Sequence, residues 1–128
     1  MMNKILIIDD DLDLVDAMTN LLEAKGYEIN NAPDGEEGCE KAKTDTPDLI
    51  LLDVMMTRKT EGFDVARSLK KDEKTKDIPI ILITGIRHEM NLPFGFEPDA
   101  DFLPVKAVLE KPIKPELLLN TVAEHIKK

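Results

Sequence analysis

The stretch Ile5-Leu6-Ile7-Ile8-Asp9-Asp10 decides the fold: four apolar residues without alternation, closed by two aspartates. A short run that is apolar at every position reads as a strand buried on both faces, the mark of a parallel sheet covered by helices. The pattern returns in Leu49-Ile50-Leu51-Leu52 before Asp53, in Pro79-Ile80-Ile81-Leu82-Ile83 before Thr84, and in Val108-Leu109 before Lys111. In an open α/β sheet the ligand crevice lies at the carboxyl ends of the strands. These polar residues are therefore expected at one edge, which would hold three carboxylates, a hydroxyl and an ammonium.

Five strands are predicted, at Ile5–Ile8, Glu28–Asn31, Leu49–Leu52, Ile80–Ile83 and Val108–Glu110, alternating with helices as in repeated βα units. In the first helix Leu14, Val15, Met18, Leu21 and Leu22 form one stripe of a 3.6-residue period, ended by Lys25-Gly26. The second, from about Gly35 to Thr44, offers only Cys39 and Ala42 as inward residues. The third, from about Gly62 to Lys71, places Phe63, Ala66 and Leu69 on one face. The last starts with Pro115 in its first turn and turns Leu118, Val122 and Ile126 inward. The Lys70–Lys76 run reads as a solvated helix end and loop.

The stretch from Ile86 to Ala107 breaks this rhythm, because Pro93, Pro98 and Pro104 leave no room for a helix of normal length between the fourth and fifth strands. It nonetheless carries Phe94, Phe96 and Phe102. Either these rings pack on the sheet where a helix would otherwise lie, or they form a partner surface.

A chain of 128 residues with 42% apolar content makes one ordinary domain, residues 1–128, so any output is expected from the domain itself. A formal charge of −9 and a pI near 4.7 argue against nucleic acid as a direct partner and favour cationic or divalent-metal ligands. The one cysteine, Cys39, cannot close an internal disulfide or build a thiolate metal site. The apolar stretch after Met-Met-Asn-Lys is too short for a signal-peptide core or a membrane span. A cytoplasmic domain with no membrane insertion is expected.

Three carboxylates at one edge repel: at about 4 Å and an effective dielectric near 20, each like pair costs on the order of 4 kcal/mol. A divalent cation is the natural remedy. All-oxygen ligands, with His88 and His125 unsupported by neighbouring ligands, point to Mg²⁺, with Mn²⁺ as a substitute. Asp9, Asp10, Asp53 and Lys111 together carry −2, which Mg²⁺ brings to zero. A neutral cluster of this kind can accept a dianionic phosphoryl group: Asp53 as nucleophile, the metal and Lys111 on the equatorial oxygens, Thr84 as hydrogen-bond donor. Taken singly, each residue could as well be a turn, cap or surface residue. Four matched positions in strand order tip the reading toward chemistry.

From Lys4 to the C-terminus the chain resembles the receiver domain of two-component response regulators, chemotaxis-receiver-like, through Ile7-Ile8-Asp9-Asp10-Asp11, Pro47-Asp48 to Met55-Met56, Ile83-Thr84-Gly85 and Leu109-Glu110-Lys111-Pro112-Ile113. The resemblance implies a flavodoxin-like, doubly wound five-stranded parallel sheet of order 2-1-3-4-5, here with a shortened or missing fourth helix. It implies Asp53 as phospho-acceptor, Asp10 as a direct Mg²⁺ ligand, Asp9 as a ligand mostly through water, and the Met55 carbonyl as a further metal contact. Thr84 becomes the switch hydroxyl, Lys111 the phosphoryl-binding cation, and the Lys111-Pro112 bond is expected to be cis. The implied donor is a phosphohistidine on a sensor histidine kinase or histidine phosphotransfer protein, and the output a contact with a downstream protein. No enzyme activity is implied beyond assisting the domain's own phosphorylation and dephosphorylation.

The chain departs from that family in three places. Thr57 stands where Pro is usual and Gly62 lies one residue later than expected, Val108 replaces a common aromatic, and the fourth helix is expected to be shortened or missing. These keep open a pseudo-receiver that binds partners without phosphorylation. A more remote reading is an aspartate-nucleophile phosphatase, since Asp11-Leu12-Asp13-Leu14-Val15 matches the haloacid dehalogenase motif, although Asp9, not Asp11, stands at the strand end. A calcium loop on Asp9, Asp11 and Asp13 fails, with Leu14 at its glycine position and Asn20 at its glutamate position.

Overall fold

A computed structural model describes residues 3–53, 61–84, 105–111 and 113–126. Strands β1 (Lys4–Ile8), β2 (Glu28–Ala32), β3 (Leu49–Asp53), β4 (Ile80–Thr84) and β5 (Ala107–Glu110) form one sheet of order β2-β1-β3-β4-β5. Every pairing is parallel. Helices α1 (Leu12–Glu23), α2 (Gly35–Asp45), α3 (Glu61–Lys71) and α4 (Pro115–His125) complete the described elements. All five predicted strands form, each one residue longer than expected.

The sheet explains why the strands lack alternation. Leu6, Ile8, Ile50, Leu52, Ile80 and Leu82 face one way and pack with Ala42 of α2 and Val65, Ala66 and Leu69 of α3. Ile5, Ile7, Leu49, Leu51, Ile81 and Ile83 face the other way and pack with Val15, Met18 and Leu22 of α1 and Leu118 and Val122 of α4. Successive side chains thus reach two separate cores, and each fully buried aliphatic contributes about 1.5–3 kcal/mol relative to an exposed one. The edge strand β2, paired on one side only, can afford Glu28, Asn30 and Asn31 in exposed positions.

Helix α1 begins where Asp11 accepts a hydrogen bond from Leu14 N at 3.2 Å, and the chain reverses after it through Gly26 at φ +94°. Helix α2 approaches the sheet more closely than its composition suggests, because Gly38 as well as Ala42 lies against β1 with nothing larger in between. It ends on Thr46, held at φ 44°, a left-handed conformation unfavourable to a β-branched residue.

The Lys70–Lys76 run is a solvated helix end and loop at Lys71, Glu73, Lys74 and Lys76, but not throughout. Thr75 is fully buried and its hydroxyl donates to Leu69 O at 2.6 Å, while Lys70 Nζ donates to Lys76 O at 3.0 Å and Ile78 O at 2.7 Å. The last turn of α3 leaves carbonyls without helical donors, and Thr75 satisfies the one at Leu69, while Lys70 ties the following loop to the helix through Lys76 O and Ile78 O. Burial and the nearby Lys106 hold the Lys70 ammonium below its ordinary pKa. The expectations for the fourth helix, for Phe94, Phe96 and Phe102, and for the Lys111-Pro112 bond fall outside the described residues.

Candidate functional site

The strand register assembles the site. Ile8 is level with Leu52, so Asp9 and Asp53, each one step further on, emerge side by side from neighbouring strands. Asp53 is level with Ile83, and Thr84 with Glu110, so Thr84 and then Lys111 follow at the same edge. The side chains of Asp9, Asp10 and Asp53 offer carboxylate oxygens that all lie within 4.8 Å of one another. Lys111 Nζ stands 3.5 Å from Asp53 Oδ2. Four of the residues singled out in the sequence are thereby brought together. Thr84 is placed at the edge by its backbone, whereas Met55 lies outside the described residues.

Burial makes this cluster unusual. Asp9 and Asp53 are each 1% exposed, while Asp10 opens to solvent. Asp9 N donates to Ala32 O at 3.0 Å, which fixes the backbone, and Asp9 Oδ1 accepts from Asp11 N at 2.8 Å. Its other oxygen, Oδ2, is buried without a hydrogen-bond partner among the described residues. Burial, reinforced by the charge of Asp53 and opposed by the Asp11 N–H and by Lys111, pushes the Asp9 carboxyl up to about 7. A buried carboxylate oxygen without a partner, beside two more carboxylates, fits a hard divalent cation with oxygen ligands.

One contributor was not legible as such. Asp11 belongs to the acidic run, yet its exposed side chain is engaged in capping α1 and its main-chain N–H holds Asp9. The signal was present, since an aspartate directly before a helical stripe is a favoured N-cap. The same engagement weighs against Asp11 as the nucleophile of a phosphatase.

The chain matches the family described as the response regulator receiver domain over residues 5–123. The DNA-binding dual master transcriptional regulator RpaA of Synechocystis sp. is 39% identical over 121 residues, which cover 94% of this chain and 48% of RpaA. The chain thus spans about half the length of that relative. Protein PilH of Pseudomonas aeruginosa is 33% identical over 121 residues, covering 94% of this chain and 95% of PilH. The solved structure of the chemotaxis response regulator CheY4 of Vibrio cholerae superposes with a TM-score of 0.83 at 30% identity, covering 98% of this chain and all of CheY4. The strand order, the buried acidic edge and the matched span agree, and the chain belongs to the response regulator receiver domain family.

Proposed function

We propose that residues 1–128 act as a phospho-accepting receiver in which Asp53 takes a phosphoryl group from a phosphohistidine of a sensor histidine kinase or histidine phosphotransfer protein. The observation that carries this reading is the burial of Asp53 at the end of β3, with the Lys111 ammonium 3.5 Å from it and the Asp9 and Asp10 oxygens beside it.

In the transfer an Asp53 oxygen attacks phosphorus, an acyl phosphate forms as the P–N bond to the histidine breaks, and the departing imidazole keeps the electron pair and takes up a proton. Lys111, at the same edge, binds an oxygen of the incoming group. Asp9, Asp10, Asp53 and the Met55 carbonyl would hold Mg²⁺, or Mn²⁺ in its place, and the bound cation supplies charge neutralisation that lets a dianion approach three carboxylates. Thr84, at the end of the neighbouring strand, serves as the hydroxyl that follows the phosphoryl group, passing the change to a downstream protein. The catalysis is confined to the domain's own phosphorylation and dephosphorylation. The net charge of −9 favours protein partners over nucleic acid.

The test is incubation with a small acyl-phosphate donor and Mg²⁺, followed by intact mass and mapping of the modified residue, with Asp53→Asn alongside. A single phosphoryl group on Asp53, absent in the variant, is expected. No modification under any donor supports the pseudo-receiver, and label on Asp9 or Asp11 supports the phosphatase.

A further inference from the structure

We propose that Asp11 is a positioning residue of the cation site: its main-chain N–H orients the Asp9 carboxylate, and its side chain fixes that N–H by capping α1. The inference rests on the reading of Asp9, Asp10 and Asp53 as cation ligands. It assigns a role to the third aspartate of Asp9-Asp10-Asp11, which that reading leaves unused.

Three contacts form a chain. Asp11 N donates to Asp9 Oδ1 at 2.8 Å, Asp11 Oδ1 accepts from Leu14 N at 3.2 Å, and Asp11 O accepts from Val15 N at 3.0 Å. The last two bind both ends of Asp11 to the first turn of α1, which sets the residue at φ −87° and ψ 96°. Its N–H direction is therefore a property of the helix start, not of a free loop. One Asp9 oxygen is tied to that N–H, and the other, Oδ2, is a buried acceptor for which no donor stands among the described residues. Holding one oxygen removes the rotational freedom that a cation would otherwise have to freeze, so the second oxygen waits in place. Asp11 itself is exposed and stands outside the group of three whose oxygens converge.

The experiment is Mg²⁺ titration by calorimetry, at raised ionic strength to screen the charge of Asp11, on Asp11→Asn, Asp11→Ala and Asp11→Pro. Asparagine keeps the capping oxygen, alanine removes the cap, and proline removes the N–H as well. Affinity for Asp11→Asn should stay within about threefold of the unmutated protein once the lost charge is screened. Asp11→Ala should weaken binding several-fold and Asp11→Pro by about tenfold or more, the size of one charge-assisted hydrogen bond. Asp34→Ala is the control for cap loss, because Asp34 caps α2 in the same way, accepting from Glu37 N at 2.9 Å. It should lower stability and leave Mg²⁺ affinity unchanged.

Equal weakening in Asp11→Asn and Asp11→Ala would show that only charge matters and overturn the proposal. So would an Asp11→Pro protein that folds and binds Mg²⁺ as tightly as the unmutated one, or a loss of affinity in Asp34→Ala equal to that in Asp11→Ala. Should Asp11→Pro fail to fold, the asparagine and alanine pair decides. A failure of the underlying reading looks different: the unmutated protein itself takes up no Mg²⁺, or Asp10→Ala takes it up equally well.

Discussion

Lys111 Nζ lies 3.5 Å from Asp53 Oδ2, reaching from the residue after β5 past the end of β4 to the end of β3. The carboxylate is almost wholly buried, and the lysine is partly open to solvent. The pair therefore does two opposed things. The ammonium offsets part of the cost of burying Asp53, and it also repels any cation drawn to the same carboxylates.

Lys111→Ala should separate these effects. Phosphorylation by a small acyl phosphate should slow by about a hundredfold, as when one preorganised donor to a developing anion is lost. Mg²⁺ binding should strengthen several-fold, because one positive charge is removed from beside the carboxylates. Mass-shift rates and Mg²⁺ titration on the same protein make the comparison. Mg²⁺ binding that weakens together with the rate would mean that Lys111 holds the shape of Asp53 and does not act through its charge.

The Asp9 carboxyl, raised from 3.8 to about 7 by burial and by Asp53, makes the metal-free domain sensitive to pH. Between those values the folded state keeps a proton on Asp9 that the unfolded chain has released. Stability in chelator should therefore be greatest below about pH 4 as far as this group is concerned, fall as pH rises toward about 7, and level off above it. Mg²⁺ held by Asp9 would displace the same proton, so its affinity should rise about tenfold per pH unit below about 7 and then flatten. Melting curves with chelator and with Mg²⁺ across this range measure both. A stabilisation by Mg²⁺ that is the same near pH 5.5 as near pH 8 would remove Asp9 from the site.

The site was legible because charge at the end of an apolar run has few explanations. Asp9 and Asp53 each directly follow four apolar residues, and Lys111 follows Val108-Leu109 across Glu110, so strand order brings all three to one edge. The strands were legible for a related reason: helices on both faces demand apolar residues at both parities, and Ile5–Ile8 or Leu49–Leu52 satisfy nothing else. What sequence could not show was which job an aspartate or a glycine takes. Asp10 and Asp11 are the same residue type one position apart, yet one offers an oxygen to the acidic cluster and the other caps a helix. Thr75 and Lys70 sit in a polar run whose tertiary role depends on which carbonyls the end of α3 and the loop after it bring within reach. Gly38 reads in sequence as a weak helix former, because the reason for it lies in β1, at Ile8.

That reason yields the last prediction. A Cβ at Gly38 would stand 2.5 Å from Ile8 Cδ1, 2.8 Å from Cγ1 and 3.1 Å from Cγ2. Ile8 is fully buried, so its side chain can give way only by shifting within a packed core. Intrinsic helix propensity alone would make Gly38→Ala stabilising by about 1 kcal/mol. The contact should reverse the sign, because α2 must lift from β1 or Ile8 must leave its rotamer, and overpacking of this kind costs roughly 1–3 kcal/mol. Ile8→Val removes the nearest atom and costs about 0.5–1.5 kcal/mol by itself. In the Gly38→Ala background it should instead recover stability, so that the double variant is firmer than Gly38→Ala alone. Urea denaturation of the four proteins closes the cycle. A Gly38→Ala protein more stable than the unmutated one would show that α2 has room to move and that the close approach of Gly38 to Ile8 does not fix the helix against β1.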